Sequence, residues 1–337
     1  MKLIEALLYE QTNPKALIMG GGAGSGKTSL VGKVMGADGY TAIADRLIEK
    51  GWKYFNPDKY ARDPESKMYK NLSAASVLNR KEVEDTIKGD RPNLVWDTTA
   101  NNIEETLKVP QAGYDTLMLM MYTHPMVSIF NNFARASKEG EESLPIYTVL
   151  STWVSSYNTD TIDAYQKALG DRFFLVNNPG GAKKQADYEK LIAEFNKAME
   201  KGPEGLLEYF EKLGEDPFFR TSMSKGAPEL PAELQADYDE KVKALGLEMT
   251  PDEDKKLKRD ILKYYLDPKH KGAFAPAEKT GNRQGYAEKL QGFRDTAEKQ
   301  RAANKKAVQS VYDLMKGQSQ NMISRDEAIA KAKAFLG

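Results

Sequence analysis

The chain has no cysteine and only two histidines, His124 and His270, among its 337 residues. The first absence excludes disulfides, thiolate metal sites and cysteine nucleophiles. The second argues against a histidine metal cage. No apolar stretch approaches the ~18 residues that cross a bilayer. Residues 1–10 are amphipathic and carry no small-residue cleavage site. A cytoplasmic protein with no membrane partner is expected. An excess of charge is missing as well, since Lys+Arg and Asp+Glu both number 49. That removes support for general nucleic-acid coating but leaves room for a local basic patch. The sequence specifies no oligomeric state.

What is present is a glycine-rich loop. Residues Gly21, Gly22, Ala23, Gly24, Ser25, Gly26, Lys27 and Thr28 fit G-x-x-x-x-G-K-[ST], and Ser29 follows. The apolar run Ala16–Met19 before it reads as a buried strand, and Thr28–Met35 after it is compatible with a helix. That strand–loop–helix context gives the motif its meaning. Glycines let successive backbone N–H groups turn inward as an anion nest, and the helix N-terminus adds its positive dipole end. Lys27 reaches β- and γ-phosphates, and the Thr28 hydroxyl suits Mg²⁺. The expected ligand is a nucleotide triphosphate, ATP, with Mg²⁺.

Four more strand candidates follow, at Lys53–Asn56, Leu94–Trp96, Thr116–Tyr122 and Arg172–Asn177, alternating with helical stretches. Alternation of this kind predicts a doubly wound α/β fold with a mainly parallel sheet of about five strands. Asp58 falls just past the second strand, where open sheets bind ligands. Asp97 ends the third, followed by Thr98, in the Walker-B pattern that orients Mg²⁺ or substrate. The alternative for Asp97 is an N-cap for the helix Asn102–Val109. His124 reads as a strand-end residue without catalytic duty. Trp153 reads as core, lying on an apolar stripe of the helix Ile146–Tyr157. Asn177–Gly180 is placed where adenine is often held.

Past Gly181 no strand-like run returns. Helices are expected at Tyr188–Lys201, Gly205–Leu213, Ala232–Leu245, Asp252–Leu266 and Tyr286–Lys316. Capping boxes start at Thr250 and Ser324, and Lys271–Gly285 reads as a linker. From Gly281 to Gly337 there are 11 Lys+Arg against 6 Asp+Glu. This is the pattern of a solvated helix face or of a phosphate or partner contact. The division expected is a phosphate-loop domain over 1–180 and a helical substrate or partner module over 181–337.

A hydroxyl-directed kinase needs a phosphate loop, a carboxylate to take the acceptor's proton, and a cation over the transferring group. The segments Phe55–Tyr60, Trp96–Asn101 and Asn131–Arg135, the last followed by Leu144–Pro145, carry these parts in order. Over roughly residues 15–178 they resemble the bacteriophage polynucleotide kinases and the zeta-toxin kinases. The resemblance implies Asp58 as general base, Asp97 as metal or substrate orienter, and Arg135 as phosphate clamp beside Lys27. It also implies Asn131, Thr98 and Arg62 as substrate contacts. Asn131 stands where the family has a first lid arginine, and the lid stretch Lys138–Glu142 is acidic. Ala61 replaces an expected arginine, with Arg62 one place later. The acceptor implied is a nucleic-acid end, a modified base or another nucleotide-type hydroxyl, with a nucleotide sugar as the alternative. A non-catalytic nucleotide-binding assembly module is the other reading of the same loop.

Overall fold

The computed structural model describes residues 13–61, 63, 65, 72–139, 143–181, 184–219, 232–244, 254, 258, 283–317 and 321–337. Five parallel strands, β1 (Lys15–Gly20), β2 (Trp52–Phe55), β3 (Asn93–Asp97), β4 (Asp115–Tyr122) and β5 (Phe173–Asn177), form one sheet in the order β2-β3-β1-β4-β5. The α/β fold expected from the strand–helix alternation is the one observed. β1 and β4 are continuous apolar runs because a parallel strand buries both faces. Leu17, Ile18, Met19, Met118, Leu119, Met120 and Met121 are all buried.

Helices α1 (Lys27–Met35), α2 (Tyr40–Glu49), α3 (Asp58–Ala61), α4 (Leu72–Lys88), α5 (Ile103–Gln111), α6 (Pro125–Glu139), α7 (Ile146–Tyr157) and α8 (Thr159–Leu169) accompany the strands. α1 stops at Gly36, whose left-handed backbone (φ 64°) returns an N–H to Gly32 O. Alternate strand residues face opposite layers. Leu17, Met19, Val95, Leu117, Leu119 and Met121 pack with Leu30, Val31 and Met35 of α1 and Ile43 and Leu47 of α2. α5 and α8 contact β4.

Further along are α9 (Gln185–Met199), α10 (Gly202–Glu215), α11 (Ala232–Ala244), α12 (Arg283–Gly317) and α13 (Arg325–Leu336). Two compact units emerge. The sheet unit runs to Asn132 and takes in Thr148–Lys197 and Val311–Gly337. The reason is α13, whose Ala328, Ala332, Phe335 and Leu336 enter the sheet's core cluster. Each fully buried Phe or Leu there contributes about 1.5–3 kcal/mol, enough to hold one short helix in place. Ile323 also bridges Val176 in parallel, giving its N–H to Leu175 O and accepting from Asn177 N–H. The Ser324 capping box forms as expected, with Ser324 Oγ accepting from Glu327 N–H at 3.2 Å.

The second unit comprises Phe133–Tyr147 and Ala198–Ser310. Its buried residues include Phe133, Leu206, Phe210, Leu213 and Phe219, and the Phe133 and Phe219 rings meet edge to face at 5.5 Å. Tyr238 donates to Asp254, which also pairs with Lys258. The Thr250 capping box lies outside the described residues, as do all but Asp254 and Lys258 of the helix expected at 252–266. So does the Lys271–Gly285 linker as far as residue 282, and its last residues, Arg283–Gly285, are helical. Among the described residues no helix is long and apolar enough to cross a membrane.

Candidate functional site

The sheet order places β1 between β3 and β4, so successive connections leave it on opposite sides. A switch point of this kind opens a crevice at the strands' carboxyl ends, and the glycine-rich loop fills it. Gly24 and Gly26 take positive φ, 74° and 88°. Space also demands glycine at both. A Cβ on Gly24 would lie 2.2 Å from Ser128 O, and one on Gly26 2.6 Å from Asn178 Nδ2.

Surrounding side chains fix the loop's shape. Tyr157 OH accepts the Gly22 N–H at 3.0 Å and donates to Met121 O. Burial pushes its phenol well above the ordinary value, so it stays protonated and fills both roles. Asn178 Nδ2 donates to Ser25 O at 2.6 Å, and Asn131 Nδ2 to Gly24 O at 3.1 Å. Tyr188 OH in turn donates to Asn131 Oδ1 at 2.7 Å. Lys27 Nζ lies over the loop and donates to Gly21 O at 2.7 Å and Gly22 O at 3.0 Å.

Asp97 is the last residue of β3, in register with Met19 of β1 and only 4% exposed. Its Oδ2 accepts from Thr28 Oγ1 at 2.6 Å, from Asn56 Nδ2 at 3.3 Å and from Tyr54 OH at 3.4 Å. Burial raises its carboxyl above the usual range. The Lys27 charge and the Thr28 hydrogen bond oppose that shift, while nearby Asp58 adds to it. Asp97 is not the helix cap. Asn102 fills that place, accepting from Glu105 N–H at 3.1 Å.

Asn56 joins the two carboxylate residues. Its Nδ2 donates to Asp97, and its Oδ1 accepts the Asp58 backbone N–H at 2.8 Å. Asp58 is half-buried and begins α3. Tyr54 is stacked on Tyr40 at 5.4 Å between centroids. Its phenol lies far above its ordinary value, by burial first and then by Asp97.

Thr98 gives its N–H to Met19 O at 3.0 Å, and its Oγ1 accepts from Ala100 N–H, which shapes the turn after β3. Arg135 is exposed on α6 and belongs to the second compact unit. Arg62 and residues 140–142 of the lid stretch lie outside the described residues. Trp153 is core, fully buried with Nε1 donating to Thr123 O at 2.8 Å. His124 Nδ1 accepts from Met126 N–H at 3.2 Å, and burial pushes the imidazole down to about 4, so the ring is neutral near pH 7.

Residues 3–158 match the zeta toxin family model. That match bears out the resemblance to the zeta-toxin kinases and covers the loop, Asp58, Asp97 and Arg135. No curated protein matches the chain. Among solved structures, the AvrRxo1-ORF1:AvrRxo1-ORF2 complex with sulphate ions is 17% identical, with a TM-score of 0.35 over 50% of this chain and 56% of that one. The same pair with ATP is 18% identical, with a TM-score of 0.36 over the same shares, 50% and 56%. The chain thus spans little more than half the length of these two. The PezAT chromosomal toxin–antitoxin system of Streptococcus pneumoniae is 12% identical, with a TM-score of 0.36 over 57% of this chain and 93% of that one.

The residues present suit a magnesium-bound nucleotide. Among the described residues no group of three or more His, Cys, Asp or Glu could hold a metal ion. A magnesium ion here would therefore need phosphate oxygens, Thr28 and one carboxylate, which is how Mg²⁺ is commonly held. The hard oxygens of Thr28 and Asp97 supply the protein's share, and the tight glycine turns leave backbone room for phosphate. Tyr54, Asn56, Tyr157 and Asn178 were not singled out individually as supports by the sequence. Asn56 and Asn178 do lie in stretches that the sequence marks, Phe55–Tyr60 and Asn177–Gly180.

Proposed function

We propose that this protein is an ATP-dependent kinase that transfers the γ-phosphoryl group to a hydroxyl of a nucleotide-type acceptor. One observation carries the reading: the Thr28 hydroxyl meets the Asp97 carboxylate at 2.6 Å, with Asn56 tying Asp58 to the same carboxylate. In the reaction the acceptor oxygen bonds to the γ-phosphorus, the bond to the β,γ-bridging oxygen breaks, and ADP leaves. The acceptor's proton goes to Asp58, whose position past β2 suits a general base. Lys27 turns from the loop carbonyls to the β- and γ-phosphates. Magnesium, when bound, neutralises charge spread over those oxygens. Thr28 and Asp97 would hold it. Arg135 is assigned to clamp the transferring group, and Arg62 and Thr98 to the acceptor side. Asn131 supports the loop through Gly24. The helical region over 181–337 is assigned to acceptor or partner choice.

The zeta toxin match favours a nucleotide sugar over a nucleic-acid end, and the acidic stretch Glu139–Glu142 agrees, since it repels a polyanion. Transfer from γ-labelled ATP to nucleotide sugars, nucleosides and 5′-hydroxyl oligonucleotides tests this. Label on a nucleotide sugar is the expected result. Label on oligonucleotides alone selects the nucleic-acid acceptor. Lys27-dependent ATP binding with no transfer to any acceptor leaves a non-catalytic nucleotide-binding module.

A further inference from the structure

Arg325, near the end of the chain, reaches the phosphate loop. Its Nη2 donates to Ser29 Oγ at 2.9 Å, across 296 positions of sequence. Ser29 is exposed and sits one residue past Thr28 on α1. The placement is built by the sheet. Ile323 adds to the open edge of β5 beside Val176, Ser324 caps α13, and Arg325 is that helix's first residue. This carries Arg325 to the carboxyl ends of the strands, where the ligand crevice lies.

Its surroundings are unfavourable for a cation at rest. It stands at the N-terminus of α13, where the helix dipole is positive, and beside the first turn of α1, which is positive too. The side chain is half-buried, its Nε is enclosed without a hydrogen-bond partner, and no described carboxylate lies within ion-pairing distance. Desolvation disfavours its charge, and only the adjacent Asp326 acts the other way. Two helix N-termini and a guanidinium with an unused donor therefore converge beside the loop. An anion there would relieve all three.

We infer that Arg325 binds the α-phosphate of a nucleoside di- or triphosphate seated in the glycine-rich loop. The inference rests on the loop's reading as a nucleotide site. The sheet order decides which phosphate it takes. Asp97 and Asp58 belong to the β3 and β2 side of β1, where the acceptor's base is assigned. Arg325, with Asn178, belongs to the β5 side. In-line transfer keeps acceptor and leaving nucleotide on opposite sides of the γ-phosphorus. Arg325 therefore holds the leaving nucleotide and not the transferring group, a role no loop residue fills with a positive side chain.

Calorimetric titration of the full chain with Mg²⁺-ATP and with Mg²⁺-ADP tests this, with Lys27→Ala as reference. Arg325→Ala should weaken ATP and ADP equally, by about 10-fold or more, the usual worth of a charge-assisted contact. In turnover assays the loss should appear mainly in the KM for ATP, the signature of uniform binding. Arg325→Lys should recover part of the loss. A lower urea midpoint without nucleotide, with both affinities unchanged, makes Arg325 a tail anchor and overturns the inference. A loss confined to ATP moves the contact to the γ-phosphate and overturns it too. If Arg325→Ala does not fold, Arg325→Gln, which keeps a donor and removes the charge, decides by the same measure. Wild type that binds no ATP sinks the nucleotide reading itself. Wild-type binding that Lys27→Ala abolishes and Arg325→Ala leaves intact sinks only the Arg325 assignment.

Discussion

Thr28 and Asp97, 69 positions apart in sequence, share a 2.6 Å hydrogen bond that joins the first turn of α1 to the end of β3. Because Asp97 is buried and its carboxyl is pushed upward, the bond does two things. It satisfies a costly group, and it presents two oxygens side by side. Asp97→Asn keeps the shape and removes the charge. The expected loss is about 1.5–3 kcal/mol of the Mg²⁺-dependent part of ATP binding, roughly 10–100-fold in Kd. Titrations with Mg²⁺ and with EDTA separate this from folding effects. An equal loss in both would remove Asp97 from the metal.

Asp58 predicts a different split. It is half-buried at the start of α3, just past the end of β2. Asp58→Asn should leave ATP affinity close to wild type and lower kcat by about 10²–10⁴, the range for a positioned general base. Single-turnover transfer from labelled ATP measures it. Wild-type rates in the variant would take Asp58 out of the mechanism.

The strands and Asp97 could be read locally because each signal is local. A strand buried on both faces shows as an unbroken apolar run, as in Thr116–Tyr122, and an acid at such a strand's end stands out. The supports of the loop could not. Tyr157 meets Gly22 across 135 positions, Asn178 meets Ser25 across 153, and Arg325 meets Ser29 across 296. Nothing local says that they meet the loop, although Asn178 and Arg325 lie in stretches that carry other signals. Asn131 reads in sequence as a missing arginine, yet its amide holds Gly24 O. That the last helix belongs to the sheet unit is hidden for a similar reason. The apolar stripe Ala328, Ala332, Phe335 and Leu336 says that α13 must be covered, not that β1 and α1 cover it.

His124 predicts how stability depends on pH. Burial holds its imidazole at about 4 in the folded chain, against an ordinary value near 6.5. Between those values the unfolded chain binds the proton and the folded chain does not. The neutral ring's contribution is therefore complete above about pH 6.5 and is lost as pH falls towards 4, to a total of about 3 kcal/mol. Urea midpoints of wild type and His124→Leu at pH 7.5, 6, 5 and 4.5 isolate the effect, because other groups titrate alike in both. The wild-type disadvantage should grow as pH falls. A constant gap would mean that the ring titrates normally.

Asn56 is the test of whether the two carboxylates work as one unit. Its amide gives a donor to buried Asp97 and an acceptor to the Asp58 N–H, so one side chain fixes both positions. Asn56→Ala leaves the Asp97 oxygen short of a donor and frees the backbone that aims Asp58. The expected stability loss is about 1–3 kcal/mol, the cost of unsatisfied buried polar groups. Asn56→Asp should be worse than alanine for Mg²⁺-ATP binding, since a third carboxylate beside Asp97 and Asp58 pushes Asp97 further towards its neutral form. The rate effect should be non-additive. Once Asp58→Asn has removed the base, Asn56→Ala has little positioning left to lose, so the double variant should turn over about as fast as Asp58→Asn alone. Turnover at saturating ATP and acceptor for all four chains of that cycle measures the coupling. Full additivity would show that Asn56 supports the fold without aiming Asp58, and the pair of carboxylates would then have to be treated as separate residues.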